Sequence, residues 1–170
     1  MNERKRLLII DDDESTRKTL SLIFKKQGYE IETAGTGQAA IDQAQKDFFN
    51  LALLDVRLPD VTGIELLAAL KDIHPDMAVI MATAYACLET AIQALNKGAS
   101  AYITKPLNLN QVLATVEKTL EKQRLVAENK RLYQEAKQRT AQLEALQQVG
   151  LKITAQPGKK KWVAVSGPLR

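Results

Sequence analysis

The chain has 170 residues, 45% hydrophobic and 26% charged, with a formal net charge of +4, which suits one soluble globular domain of ordinary size plus an extension. A single cysteine, Cys87, excludes an internal disulfide and a cysteine-based metal site and points to a reduced, intracellular setting; the four apolar residues Leu7 to Ile10 before Asp11 are too few for a signal-peptide core or a membrane span. Through Arg124 there are 15 Lys+Arg against 17 Asp+Glu, and from Leu125 onward 9 against 3, so the body is slightly acidic, which argues against a globular domain that binds nucleic acid, and the basicity belongs to the extension.

Arg6 to Ile10 predicts a short strand that runs straight into Asp11-Asp12-Asp13-Glu14. Ser15 to Gln27 follows as a helix with Leu20, Ile23 and Phe24 on one face and Gly28 as its stop. Tyr29 to Thr33 alternates like a second strand, and Gln38 to Lys46 is a second helix started through Gly35-Thr36-Gly37, with no P-loop lysine following. Leu51-Ala52-Leu53-Leu54 is a continuous apolar run, as expected of a strand buried on both faces of a parallel sheet, and Asp55 closes it. After a turn at Pro59 to Gly63, Ile64 to Leu70 reads as a third helix ended by His74-Pro75. Met77 to Met81 is a fourth strand stopping at Ala82-Thr83, Leu88 to Lys97 a fourth helix capped by Gly98, and Ala101 to Thr104 a fifth strand closed by Lys105-Pro106. Five strands alternating with helices predict a doubly wound, mainly parallel α/β fold.

A last helix starts near Leu109, and no Gly or Pro interrupts it before Gly150, which is expected to end it. Past Arg124 the seam Leu125, Asn129, Leu132, Ala136, Arg139, Leu143, Leu146 steps by four and three. Asn129 then takes an a position, where Asn sets the register of a parallel two-stranded coil. The expected organisation is a domain over residues 1–124, a helical extension over 125–149 through which two copies dimerise, and a tail over 150–170; a solvated single helix is the alternative. The tail, with Lys159-Lys160-Lys161 and Trp162 to Val165, reads as disordered, as the truncation point of a longer protein, or as an appended segment, and not as a nucleic-acid patch.

The chemistry lies at the strand ends. Asp11 and Asp12 follow the first strand, Asp55 the third, Thr83 the fourth and Lys105 the fifth. A parallel sheet brings these ends to one edge, where open α/β folds place their ligands. Three carboxylates sharing a small site require a cation, and an oxygen-only donor set favours Mg²⁺. Asp55 beside a metal ion, an ammonium and a hydroxyl is equipped for phosphoryl transfer, with the carboxylate as nucleophile and Lys105 and Thr83 stabilising the transferring group. Asp13 and Glu14 read as helix N-terminal residues favoured by the dipole; Cys87 and His74 lack catalytic partners and read as structural.

Leu7 to Glu14, Asp55-Val56-Arg57-Leu58-Pro59-Asp60 with Gly63, Ala82-Thr83-Ala84-Tyr85, Gly98-Ala99 and Tyr102-Ile103-Thr104-Lys105-Pro106 resemble the response-regulator receiver domain of two-component signalling, over roughly residues 4 to 124 and in the family's order. The resemblance implies a flavodoxin-like sheet with strand order 2-1-3-4-5. It implies Asp55 as the phosphoacceptor, an Mg²⁺ pocket of Asp11, Asp12, Asp55 and the backbone carbonyl of Arg57, Thr83 and Tyr102 as a switch pair, and Lys105 followed by a cis Pro106. The partner implied is a histidine kinase or phosphotransfer protein, in the cytoplasm, with no catalysis beyond self-phosphorylation and dephosphorylation, and with no nucleic acid or membrane contacted directly. Phosphohydrolases with an aspartyl nucleophile are the enzymatic rival; they place a second acid two residues after the nucleophile, where this chain has Arg57. A scaffold that only binds proteins is a third possibility, opposed by the complete acidic pocket. No helix-turn-helix pattern follows, and Leu143 to Leu151 resembles the linker helix before a GAF-type sensory domain, which would make this chain the front piece of a larger signalling protein.

Overall fold

The structure, a computed structural model, describes residues 4–84 and 87–154. Tyr85 of the third motif, the lysine run Lys159 to Lys161 and the stretch Trp162 to Val165 lie outside the described residues. The elements are β1 (Arg6–Ile10), α1 (Glu14–Lys26), β2 (Glu30–Ala34), α2 (Gly37–Lys46), β3 (Leu51–Asp55), α3 (Gly63–Ile73), β4 (Ala78–Thr83), α4 (Leu88–Asn96), β5 (Ala101–Thr104) and α5 (Leu109–Thr154). The five strands form one parallel sheet in the order β2-β1-β3-β4-β5, the doubly wound architecture expected from the sequence.

Strand alternation sorts the core into two layers. Leu8, Ile10, Ala52, Leu54, Val79 and Met81 face α2, α3 and α4, while Leu7, Ile9, Leu51, Leu53, Ile80 and Ile103 face Leu20 and Phe24 of α1 and Val112, Val116 and Leu120 of α5. The central strands β3 and β4 are buried at every residue, whereas the edge strand β2 alternates, which is why the former read as apolar runs and the latter as a period-two pattern. Each fully buried Leu or Ile contributes about 1.5–3 kcal/mol.

Local signals set the helix ends. The side chains of Asp13 and Thr36 cap α1 and α2, and Thr62 with Glu65 forms a capping box on α3. Gly28 and Gly98, at φ of 90° and 98°, close α1 and α4 in the left-handed region where a Cβ is strained. Gly150 was expected to do the same for α5, and here the structure differs: the helix continues through it to Thr154. A glycine stops a helix by turning left-handed, and among the described residues only Gly28 and Gly98 have positive φ; inside a helix it costs only about 1 kcal/mol relative to Ala.

The chain divides into two compact units, Met1–Leu125 and Val126–Arg170. In the first, α5 buries Val112, Val116 and Leu120 on the sheet. In the second, Leu132, Leu143 and Leu146 of the expected seam are exposed. No described helix is long and apolar enough to cross a membrane.

Candidate functional site

The carboxyl edge of the sheet gathers the predicted chemistry. Asp11 leaves β1 and Asp55 ends β3, and both are buried, at 4% and 7% exposure, while Asp12 on the turn into α1 is exposed. The carboxylates of Asp11, Asp12 and Asp55 each bring an oxygen within 4.8 Å of the others. Lys105, just past β5, reaches across the edge: its Nζ donates to Asp11 Oδ2 at 2.7 Å and to Asp55 Oδ2 at 2.6 Å. Each carboxylate uses its other oxygen on backbone, Asp11 Oδ1 accepting from Asp13 N at 2.9 Å and Asp55 Oδ1 from Arg57 N at 3.0 Å.

The electrostatics follow from this packing. Burial pushes the Asp11 carboxyl above its ordinary range, and the bonds from Lys105 and Asp13 only partly offset it. Burial alone would lower the Lys105 ammonium, but its bonds to Asp11 and Asp55 prevail and hold it above its ordinary value. Three carboxylates and one ammonium leave two negative charges, which one divalent cation neutralises; the donors are all oxygens, as a hard cation requires. The residues present thus fit the expected metal.

Thr83 and Tyr102 lie on the neighbouring strands β4 and β5, offset by two residues in register. Asp55 is in register with Ala82 of β4, so Thr83 lies one residue further along, and it is buried at 2% exposure. Thr83 in turn is in register with Thr104, and its carbonyl accepts from Lys105 N at 2.6 Å. Tyr102 is half-buried and packs on the α4 side of the sheet, the side on which Val79 and Met81 place the parity of Thr83. The Lys105-Pro106 peptide is cis, as the resemblance implied.

Gly63 explains its own place in the motif. A Cβ there would lie 2.6 Å from Val56 Cα and 2.8 Å from Asp55 O, so only glycine lets α3 start against the backbone that carries Asp55. The Arg57 to Thr62 bridge and the Gly63 N to Val56 O bond at 2.8 Å close the intervening loop.

Other expectations resolve as structural. Asp13 accepts from Ser15 N and Thr16 Oγ1 and Glu14 pairs with Lys18, so both serve α1. His74 Nε2 lies 2.6 Å from Ala44 O and 3.2 Å from Asp47 O, two acceptors that fix that nitrogen as the protonated one. Cys87 is exposed at the N-cap of α4. Two residues had no role in the sequence reading. Asp60 accepts from Gly37 N and Gln38 N at 2.8 and 2.9 Å, tying the loop after Asp55 to the start of α2; its partners are too far away in sequence to be read locally. Arg17 Nη1 donates to the carbonyls of Asp11 and Asp12 at 2.6 and 3.0 Å, and its position four residues past the N-cap was a usable signal, because helical side chains lean toward the N-terminus.

Comparison with known proteins agrees with this geometry. Residues 7–117 match the response regulator receiver domain family. The transcriptional regulatory protein ZraR of Escherichia coli K12 is 38% identical over 114 residues, which cover 67% of this chain and 26% of that protein; the chain thus spans about a quarter of the length of that curated relative. A CheY-like receiver domain from Methanospirillum hungatei superposes with a TM-score of 0.70 at 41% identity, covering 72% of this chain and 98% of its own. A Burkholderia pseudomallei response regulator with a phosphorylated aspartic acid, a calcium ion and citrate superposes at 0.64 with 32% identity, covering 74% of this chain and 72% of its own. Receiver domains accept phosphate from histidine kinases and bind a divalent metal at an acidic pocket, the place taken here by Asp11, Asp12 and Asp55. With five parallel strands in the order 2-1-3-4-5 and a family match over residues 7–117, the chain belongs to the response regulator receiver domain family.

Proposed function

We propose that Asp55 is the phosphoacceptor of this receiver, in a site completed by Asp11, Asp12, Lys105 and Thr83. The observation that carries this is the Lys105 ammonium, held 2.6 Å from Asp55 Oδ2 at the carboxyl edge of the sheet. A carboxylate oxygen of Asp55 attacks the phosphorus of a phosphohistidine on the partner kinase or phosphotransfer protein. The new O–P bond forms as the P–N bond breaks, its electron pair returns to the ring nitrogen, and the ring, already carrying a proton on its other nitrogen, leaves as neutral imidazole. Asp11, Asp12, Asp55 and the backbone carbonyl of Arg57 would hold Mg²⁺, which when bound neutralises charge on the equatorial phosphoryl oxygens. Lys105 offers a second positive charge to those oxygens, and the Thr83 hydroxyl a neutral donor.

The chain's own chemistry is gain and loss of that phosphoryl group, with no other substrate turned over. The switch runs from Asp55 to Thr83 and Tyr102, and the output is a changed contact with a second copy of the chain through the α5 seam. In this reading the receiver contacts no nucleic acid directly and acts in the cytoplasm. Labelling with acetyl phosphate and Mg²⁺, read by intact mass, tests the acceptor: wild type gains one phosphoryl group and Asp55→Asn gains none. Equal labelling of the two removes Asp55 from its role.

A further inference from the structure

We propose that Arg17 is a positioning residue that holds the Asp11-Asp12 turn in its cation-binding shape, and that position 35 is glycine to leave the Arg17 guanidinium room. The proposal rests on the reading of Asp11, Asp12 and Asp55 as a divalent-cation pocket and adds what keeps that pocket in shape.

Asp11 and Asp12 stand where β1 has ended and α1 has not begun, so neither a strand ladder nor a helix fixes their peptides in full. On the strand side Asp11 N donates to Ala34 O at 3.2 Å. On the helix side Arg17 supplies the tether: one guanidinium nitrogen donates to Asp11 O at 2.6 Å and to Asp12 O at 3.0 Å. These carbonyls belong to the two residues whose carboxylates meet Asp55, so freeing them lets both carboxylates drift from the third. A planar, always charged guanidinium suits two neighbouring carbonyls better than the flexible point charge of a lysine.

Gly35 is the second, independent observation. A Cβ there would lie 3.1 Å from Arg17 Nη1, 3.4 Å from Cζ and 3.5 Å from Nη2. Its φ is not positive, so the backbone does not demand glycine; a methyl there instead requires the guanidinium to give by a few tenths of an ångström. An alanine at 35 presses on the nitrogen that makes both carbonyl bonds while removing no contact of its own. The like charge of Arg17 and a bound dication works against the tether, but Arg17 is half-buried on the rim of the turn, where water and three carboxylates screen it.

The test is Mg²⁺ titration of the full chain by calorimetry, alongside the Mg²⁺ dependence of labelling by acetyl phosphate. Groups that orient metal ligands from outside the coordination shell change affinity by about 10- to 100-fold when removed. Arg17→Ala is expected to weaken Mg²⁺ about tenfold and to raise the half-saturating Mg²⁺ for labelling by the same factor, with the plateau rate unchanged. Arg17→Lys recovers part of the loss. Gly35→Ala weakens Mg²⁺ in the same direction, and Arg17→Ala with Gly35→Ala is no weaker than Arg17→Ala alone, because the methyl acts only through the guanidinium. If Arg17→Ala does not fold, Gly35→Ala carries the test alone. Wild-type or tighter Mg²⁺ binding by Arg17→Ala overturns the proposal, as does a Gly35→Ala effect that adds in full to that of Arg17→Ala. A wild-type chain that binds no Mg²⁺ removes the pocket itself and this proposal with it, a result distinct from binding that simply ignores Arg17.

Discussion

Replacing Lys105 with methionine separates the two positive charges that the acidic pocket can use. The ammonium lies 2.7 Å from Asp11 and 2.6 Å from Asp55, with side-chain exposures of 22% for the lysine and 5% and 8% for the two carboxylates. Losing one partner of a fully buried pair costs about 3–5 kcal/mol, and an exposed pair is worth about 0–1. Lys105 falls between, at about 2 kcal/mol, because its carboxylates are buried while its own head is partly wet. In a receiver of this size that lowers the melting temperature by roughly 5–8 °C in the absence of divalent cation. Added Mg²⁺ should act the other way. The ammonium and the metal compete for the same two carboxylates, so Lys105→Met binds the cation more tightly than wild type, and at 100 times its dissociation constant the gain is about 2.7 kcal/mol. Thermal melts of both proteins with and without Mg²⁺ measure the two effects together. A variant that melts at or above wild type without metal, or that gains less from Mg²⁺ than wild type, refutes the bridging role given to Lys105.

Gly63→Ala sets a helix-propensity gain of about 1 kcal/mol against a methyl 2.6 Å from Val56 Cα and 2.8 Å from Asp55 O; backbone cannot step aside as a side chain can, so the clash wins, and a net loss of about 2 kcal/mol should appear in the urea midpoint together with slower labelling of Asp55. At alkaline pH the sign follows from two raised groups: Lys105, whose partners outweigh burial, and Tyr29, raised by burial. Both have folded values above their ordinary 10.5 and 10.0, so the stability they contribute is complete below those values and is lost as pH rises through the folded ones. Urea midpoints should therefore fall above about pH 10 in wild type and fall less in Lys105→Met, which keeps only the Tyr29 share; equal falls would deny Lys105 its part. For the extension, Leu132→Ser with Leu143→Ser should convert a dimer to a monomer in sedimentation and leave Asp55 labelling intact, and a wild-type monomer would end the coiled-coil reading.

The strand-end residues were legible because a parallel sheet maps chain order onto position: once Asp11, Asp55, Thr83 and Lys105 were placed at strand termini, their convergence on one edge followed. The central strands read cleanly because both faces are buried, and α1 to α4 because caps and left-handed glycines mark their ends. Gly150 misled for the same reason it was useful elsewhere. Glycine permits a left-handed turn without compelling one, and at 150 the helix runs on to Thr154. The bond of Asp60 to the start of α2 and the closeness of Gly35 to Arg17 were invisible for another reason: their partners lie 23 and 18 residues away in sequence, and only the packed fold brings them together.

Charge counting connects the proposed acceptor to the proposed switch. With a dication in the pocket, three carboxylates and the Lys105 ammonium balance to zero. Phosphorylation replaces the single charge of Asp55 with a phosphoryl group carrying up to about two, so the pocket gains roughly one negative charge at a place where Asp11 and Asp55 are almost wholly buried. The fixed donors nearest Asp55 are already spent: Lys105 is shared between two carboxylates and Arg57 N is on Asp55 Oδ1. A neutral hydroxyl costs little to move and brings a donor without upsetting the balance, which suits Thr83. Its carbonyl accepts from Lys105 N at 2.6 Å, so on the proposed switch a shift of Thr83 would pass to β5, on the side where Tyr102 packs. The surface beyond it is α4, whose Leu88, Ile92 and Leu95 are spaced by four and three residues and exposed. On the proposed switch, a charge gained at Asp55 would reach the outside of the receiver as a repacking beneath one apolar helix face, by a route that uses Lys105 both through its side-chain bonds to the carboxylates and through its backbone bond to Thr83.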